Sequence, residues 1–133
     1  MAISSTIQFG DNNIKKYSRE YKLVNLKCHF KRNDDRFRPT SDVTLESVLI
    51  DVIVPASDDR FLFEWYISGQ EQTGRILTEI SDPAKDNEPV WKEILFDEAV
   101  CFSMGEHYVK ESLRRTLRLG LVASRIIMSD IEF

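Results

Sequence analysis

The segment that most constrains the fold is a long apolar run that ends at a proline. From Val43 to Val54 the chain alternates with the period of a β-strand, and one face carries only β-branched residues: Val48, Ile50, Val52 and Val54. The opposite face mixes polar residues with further apolar ones: Leu45, Leu49 and Ile53. A strand that is apolar on both faces has to be covered on both. The run therefore predicts a core strand whose second face also needs a partner.

A short amphipathic helix, at about residues 58–69, is predicted directly after this strand. Pro55 cannot donate to a ladder and ends the strand, and Ser57 or Asp58 can cap the helix that follows. Four residues form one broad helical face: Phe61, Leu62, Trp65 and Tyr66. Gly69 supplies a C-terminal stop. Because a helix of about a dozen residues is unstable alone in water, its aromatic face is expected to dock on a sheet.

Strand patterns fill most of the remaining chain. Apolar alternation predicts further strands at about residues 4–9, 21–31, 73–80, 90–104 and 116–123. In the fourth of these, a bend or bulge is expected at Glu98, which interrupts a face of apolar residues: Ile94, Phe96, Val100, Phe102 and Met104. The last strand places four residues on one face: Leu117, Leu119, Leu121 and Ala123.

These patterns describe a mainly β protein with about six strands and one α-helix. Such a set of elements favours a compact β-barrel, or two packed antiparallel sheets, with the helix at its side. The sequence shows no internal repeat and no linker, and a chain of 133 residues is ordinary for one domain. Residues 1–133 are therefore predicted to form a single domain.

The segment from Arg32 to Asp42 has no apolar period and is rich in turn-forming residues, so it predicts a loop of about ten residues. It carries four residues with the size and charge to make contacts: Arg36, Phe37, Arg38 and Pro39. Loops of this length in a compact domain are often functional. A solvated hairpin connection is the alternative interpretation.

Composition excludes several functions. The net charge of -4 argues against a nucleic-acid partner, because phosphate binding needs clustered positive charge. No apolar run approaches 18 residues, so no membrane insertion is expected, and the first residues lack the pattern of a secretory signal peptide. Cys28 and Cys101 each lie among apolar residues at strand spacing and are predicted to be buried free thiols.

No catalytic, cofactor or metal site is predicted. The motifs of serine hydrolases, P-loop proteins, zinc proteases and CxxC redox proteins are all absent from the sequence. A metal cluster of Cys28, Cys101 and His107 would require an accident of the tertiary fold. The carboxylates fall mainly in predicted turns and caps, where they are usually solvated, whereas a paired-carboxylate hydrolase needs one acid in an apolar pocket. The protein is expected not to be an enzyme.

A series of weak motifs resembles, by its order and spacing along nearly the whole chain, the Hcp-type tube proteins of type VI secretion, in the TssD form of Bacteroidetes. The series begins with Cys28-x-Phe30-x-Arg32, the aspartates, and Arg38-Pro39. It continues with Glu64-Trp65 on the helix and a strand after Gly74. The strand with Lys92, Leu95, Phe96, Ala99 and Cys101 completes it. Phe37 stands where the family usually has a glycine, and the chain ends in DIEF instead of a tryptophan.

The resemblance implies a compact β-barrel that closes into a homo-hexameric ring, with rings stacked into the inner tube that a contracting sheath expels. It implies sheath, spike and baseplate proteins as partners, and effector cargo in the lumen. It also implies a protein that is cytoplasmic when assembled and extracellular after firing. The expected ring or stacking interface comprises Arg32, Arg36, Phe37, Arg38, Pro39, Leu45, Leu49 and Ile53. The alternative is a monomeric β-barrel that binds a small ligand or a peptide.

Overall fold

The computed structural model describes the backbone of residues 2–35, 38–54, 60–81, 90–109, 114–128 and 131–132. Within these ranges it has seven strands and one helix. The elements are β1 (Ala2–Asp11), β2 (Lys16–Asp35), β3 (Arg38–Ile53), α1 (Arg60–Ser68), β4 (Gln72–Ser81), β5 (Val90–Val109), β6 (Arg114–Met128) and β7 (Ile131–Glu132). The predicted mainly β fold with one short helix is confirmed. The predicted caps Ser57 and Asp58 lie outside the described residues.

The strands form one antiparallel sheet that closes on itself. Their order is β3-β2-β1-β4-β5-β6-β7, and β3 also pairs with β6, so the six long strands make a barrel. The predicted inner face of β3 is buried, with Val48, Ile50 and Val52 each no more than 1% exposed. It pairs with the inner face of β6, where Leu117, Leu119 and Leu121 are fully buried.

Aromatic rings fill the barrel beside α1. The Phe9 ring makes edge-to-face contacts with four others at centroid distances of 5.0 to 6.2 Å: Tyr21, Phe61, Trp65 and Phe96. The indole Nε1 of Trp65 donates a hydrogen bond of 3.0 Å to the carbonyl oxygen of Ala99 on β5. Leu62 is also buried, so the predicted docking face of α1 is largely confirmed. Tyr66 is the exception: it is 41% exposed, because it lies at the edge of that face.

Gly69 ends α1 as predicted. Its φ of +66° is left-handed, a conformation that only glycine adopts without a steric penalty.

Bulges change which residues face the interior. Glu98 has a φ of +53°, and the β4–β5 register shifts beside it, which confirms the predicted irregularity. The shift moves the alternation by one position, so Ala99 and Cys101 are buried. Val100 and Phe102 were expected in the core, and that prediction is wrong: Phe102 is 49% exposed.

A second irregularity reverses the position of Leu45. The β2–β3 register shifts between His29 and Phe30, with the extra residue, Glu46, on β3. Leu45 therefore pairs with Phe30 and packs against the core, and its predicted place on the outer face is wrong. Leu49 and Ile53 lie beyond the bulge and keep the predicted outer orientation.

The predicted loop from Arg32 to Asp42 is a hairpin instead. β2 continues to Asp35, β3 begins at Arg38, and the two strands pair across the segment, with Arg32 opposite Val43. Backbone pairing along a two-stranded ribbon needs no apolar alternation, because neither face has to cover a core. We call residues 29–35 and 38–47, which pair with each other outside the β1 and β6 ladders, the β2–β3 arm.

Candidate functional site

Leu45, one of the eight predicted interface residues, packs against the core, and the other seven fall into three groups. Leu49 and Ile53 lie on the outer face of the barrel, each half-buried. The structure places the backbone of Arg32, Arg38 and Pro39 in the β2–β3 arm, and their side chains are not among those described. Arg36 and Phe37 lie outside the described residues. The outer face of the barrel is therefore the part of the predicted site where the structure describes side chains.

An apolar surface lies on the outside of the seam where β3, β6 and β5 meet. Leu49 pairs with Gly120 on β6, and Val100 on β5 pairs with Val122. The Phe102 ring lies over Gly120, since a Cβ built on that glycine would be 2.7 Å from its Cζ. We call this surface the Phe102 face, with four apolar side chains around Gly120: Leu49, Val100, Phe102 and Val122.

Sequence reasoning missed most of the Phe102 face because it placed Val100 and Phe102 in the core. One signal was present. Gly120 interrupts a strand of large apolar residues, and a glycine inside a strand often marks a place where another group approaches closely. Here that group is the Phe102 ring.

A cleft of about 400 Å³ adjoins the Phe102 face. Its lining residues are Val24, Asp51, Gly105, Glu106, His107, Thr116 and Arg118. Arg118 donates to both carboxylate oxygens of Asp51, at 2.9 and 3.4 Å. The Arg118 side chain is 72% exposed and that of Asp51 only 15%, so the cleft presents a guanidinium to solvent. The hydrogen bonds and charge of Asp51 raise the pKa of Arg118.

A second exposed apolar residue, Trp91, lies near the other end of β5 among acidic side chains. Trp91 is 57% exposed and pairs with Glu79 on β4. Two residues further along the same outer face of β5, Glu93 pairs with Leu77. Glu93 accepts a hydrogen bond of 2.8 Å from Arg75. We call Leu77, Glu79, Trp91 and Glu93 the Trp91 face.

A polar network closes one end of the barrel. The Asn12 side-chain amide donates to the carbonyl oxygens of Gly74 and Phe96, at 2.9 and 3.2 Å, and accepts from the Tyr17 hydroxyl at 2.7 Å. The Arg75 guanidinium lies 4.3 Å from the centroid of the Tyr17 ring. Burial raises the pKa of Tyr17, against the opposing charge of Arg75. These contacts tie the β1–β2 turn to β4 and β5, so their role is structural.

The described residues show no arrangement for catalysis. Among them, no group of three or more His, Cys, Asp and Glu side chains is placed to hold a metal ion. Cys28 and Cys101 are free thiols, the first half-buried and the second buried. Burial raises the pKa of Cys101 to about 11, although hydrogen bonds to the backbone of Ser103 and Gly120 oppose it. Within the described part of the chain, no helix is long and apolar enough to cross a membrane.

Comparison with known proteins identifies the family. The model described as Hemolysin coregulated protein Hcp (TssD) matches residues 1–133. The chain belongs to the Hcp (TssD) family. Hcp proteins are structural tube proteins of type VI secretion, not known as enzymes. A comparison with curated protein sequences finds no match.

Solved Hcp structures share the fold of this chain at low sequence identity. Hcp1 from Flavobacterium johnsoniae is 21% identical with a TM-score of 0.65, over 100% of this chain and 98% of that one. A crystal structure of an Hcp protein is 8% identical with a TM-score of 0.74, over 99% and 96% of the two chains. The secreted protein Hcp3 from Pseudomonas aeruginosa is 10% identical with a TM-score of 0.63, over 98% and 94%. At these identities the likeness supports the fold alone.

Proposed function

We propose that this protein is a structural subunit of the type VI secretion inner tube. Six copies close into a ring, and rings stack into a tube that carries effectors and is expelled by the contracting sheath. The observation that carries this proposal is the match of the Hcp family model to residues 1–133. It implies assembly in the cytoplasm beside sheath, spike and baseplate proteins, and an extracellular location after firing.

Two features of the barrel support assembly. The Phe102 face exposes apolar side chains on the outside of a small barrel, and such surfaces commonly mark protein contacts. The β2–β3 arm extends beyond the ladders that close the barrel, and among the described residues its two strands pair only with each other. We assign stacking between rings to the arm, with Arg32, Arg36, Phe37, Arg38 and Pro39 as its contact residues, and contact within the ring to the outer face that includes Leu49 and Ile53.

The filled interior argues against the alternative of a ligand-binding barrel. The aromatic rings around Phe9 and the leucines of β6 occupy the space that a ligand would need. Many barrels of this size are filled by their own side chains.

Mass in solution tests the proposal. Light scattering is expected to give about six times the chain mass of 15.5 kDa, and negative-stain images of the same peak are expected to show open rings. Deleting residues 33–38 is expected to keep the fold and the ring but abolish stacking. The substitution Asn13→Ala, in the exposed β1–β2 turn, is the control and is expected to stack normally. A purely monomeric wild-type protein would contradict ring formation, and a deletion variant that still stacks would contradict the role of the arm.

A further inference from the structure

We propose that the Trp91 face of one copy binds the Phe102 face and the adjoining cleft of the next, so that copies associate head to tail. This inference rests on the proposed ring assembly and names the two surfaces through which neighbours meet. The occupant of each surface is a second copy of this chain.

The two surfaces hold large apolar side chains that solvent reaches. Trp91 is 57% exposed, Phe102 49% and Val122 39%. An exposed tryptophan is the residue type that most often anchors a protein contact, because it buries a large apolar area with few rotatable bonds. Val122 and Phe102 flank Gly120, and the Phe102 ring occupies the space that a side chain at this position would take.

The cleft beside the Phe102 face suits an aromatic anchor. Its volume is about 400 Å³, and its open side presents the guanidinium of Arg118. A guanidinium stacks favourably on the face of an indole ring, and the contact strengthens when water is removed. Trp91 of a neighbouring copy can thus lie against Arg118 while its ring edge contacts the apolar side chains beside the cleft.

The charges of the two surfaces are opposite. Lys27 pairs with Leu49 at the border of the Phe102 face, and Arg118 is exposed in the cleft, while the Asp51 carboxylate is mostly covered. Glu106 also lines the cleft, but its carboxylate is ion-paired with Arg115 at 2.7 Å. The Trp91 face has Glu79 and Glu93 instead, and the Arg75 that bonds Glu93 has a side chain only 22% exposed. Complementary charge favours this pairing and disfavours either surface binding a copy of itself.

The positions of the two surfaces allow one copy to use both at once. Trp91 and Phe102 are eleven residues apart on the single strand β5, which in an extended strand corresponds to about 36 Å. When unlike surfaces meet head to tail, every pair of copies still has one free surface of each kind, so further copies can add. The assembly closes into a ring where the rotation between neighbours closes, and it otherwise continues as a filament. A contact of this kind is therefore compatible with the ring that the proposed function requires.

Three matched substitutions test the contact. Trp91→Glu removes the anchor, Phe102→Glu adds an unpaired charge to the opposite surface, and Ile67→Glu is the control. Ile67 is a 77% exposed apolar residue on α1, outside both surfaces. Each variant is first checked for folding by circular dichroism and thermal unfolding. Light scattering is expected to show Ile67→Glu assembled like the wild type and the other two monomeric, with self-association at least about 30-fold weaker, as for loss of a central anchor.

Mixing the two disrupted variants distinguishes unlike from like surfaces. Trp91→Glu retains an intact Phe102 face, and Phe102→Glu retains an intact Trp91 face. In the mixture, the intact Trp91 face of one variant can bind the intact Phe102 face of the other, and no further contact is possible. The mixture is therefore expected to give a species of two chains, twice 15.5 kDa. The two tryptophans report on the same event, since Trp65 is buried and Trp91 exposed. Iodide is expected to quench Trp91 in the separate Phe102→Glu variant and much less in the mixture.

Several results would overturn the inference. If Trp91→Glu or Phe102→Glu assembled as the wild type does, the contact would lie elsewhere while the ring proposal stood. Association of Trp91→Glu with itself would show that the Phe102 face binds its own copy. A mixture without paired chains would also exclude contact between the two faces. A wild-type protein that stays monomeric alongside Ile67→Glu would contradict both the ring proposal and this contact.

Discussion

Trp65 connects the helix to the barrel through a single buried hydrogen bond. Replacing it with phenylalanine keeps an aromatic ring but removes the indole N–H that donates to the Ala99 carbonyl oxygen. The carbonyl oxygen then loses this hydrogen bond. When one partner of a buried hydrogen bond is removed and the other is left unsatisfied, the cost is about 1–3 kcal/mol. We expect Trp65→Phe to lower the free energy of unfolding by at least that amount, measured by urea denaturation. The control is Tyr66→Phe, at a 41% exposed position on the same helix, where a change within about 0.5 kcal/mol is expected. Equal effects at the two positions would contradict the structural role of the bond.

The buried thiol of Cys101 makes stability depend on pH. Burial raises its pKa from the ordinary 9.0 to about 11, so the folded protein holds this proton more tightly than the unfolded chain does. The contribution of this protonated thiol to the free energy of unfolding is fully present below pH 9 and is lost as pH rises towards 11. We expect Cys101→Val to show a smaller loss of unfolding free energy between pH 9 and 11 than the wild type. Tyr17, whose pKa is also raised, contributes equally to both proteins. Parallel pH profiles would contradict this account.

The inward-facing residues could be predicted wherever a strand runs without interruption. The apolar alternation from Val48 to Val54 and from Leu117 to Leu121 correctly predicted the buried side chains of β3 and β6, because a regular pleat fixes which side chains share a face. At Glu98 the interruption was visible in the sequence, but its consequence was not. A single extra residue reverses the side chains that follow it until another shift restores them, as the one between Cys101 and Ser103 does before Met104. Only the paired strand shows where each shift lies.

At the scale of elements, the end of α1 depends on one backbone conformation. Gly69 has a φ of +66°, and no atom lies within 4 Å of the Cβ that alanine would add. The penalty for Gly69→Ala is therefore conformational, about 1 kcal/mol. Gln70→Ala is the control, because residue 70 is exposed and does not have a positive φ. Urea denaturation is expected to show destabilisation at position 69 and little change at 70, and the reverse order would contradict it.

The helix and most strands were predictable, whereas the arm was not. α1 combines a proline before it, an apolar face and a terminal glycine, all of which are local signals. The β2–β3 arm has none of these: its pairing from Arg32 to Val43 depends on backbone hydrogen bonds between two strands, which no apolar alternation predicts. Its turn-forming composition therefore indicated a loop. Likewise, the Phe102 face could not be predicted, because it joins side chains from three strands.

At the scale of the whole molecule, assembly links stability to protein concentration. Neighbours that bind only the folded chain stabilise it by mass action, so dilution lowers the melting temperature. For a ring of about six copies, a hundredfold rise in concentration is worth about 2 kcal/mol per chain. At roughly 4 °C per kcal/mol for a domain of this size, the melting temperature is expected to rise by about 8 °C.

The same measurement separates the contact surfaces from the barrel. Differential scanning fluorimetry or calorimetry over that concentration range is expected to give matching slopes for the wild type and Ile67→Glu. Phe102→Glu is expected to give a flat line, because it folds without binding a neighbour. At high dilution, where all three proteins are single chains, their melting temperatures are expected to agree within the small effect of an exposed substitution. A Phe102→Glu protein that melts far lower at every concentration would place Phe102 in the support of the barrel instead of in a contact between chains.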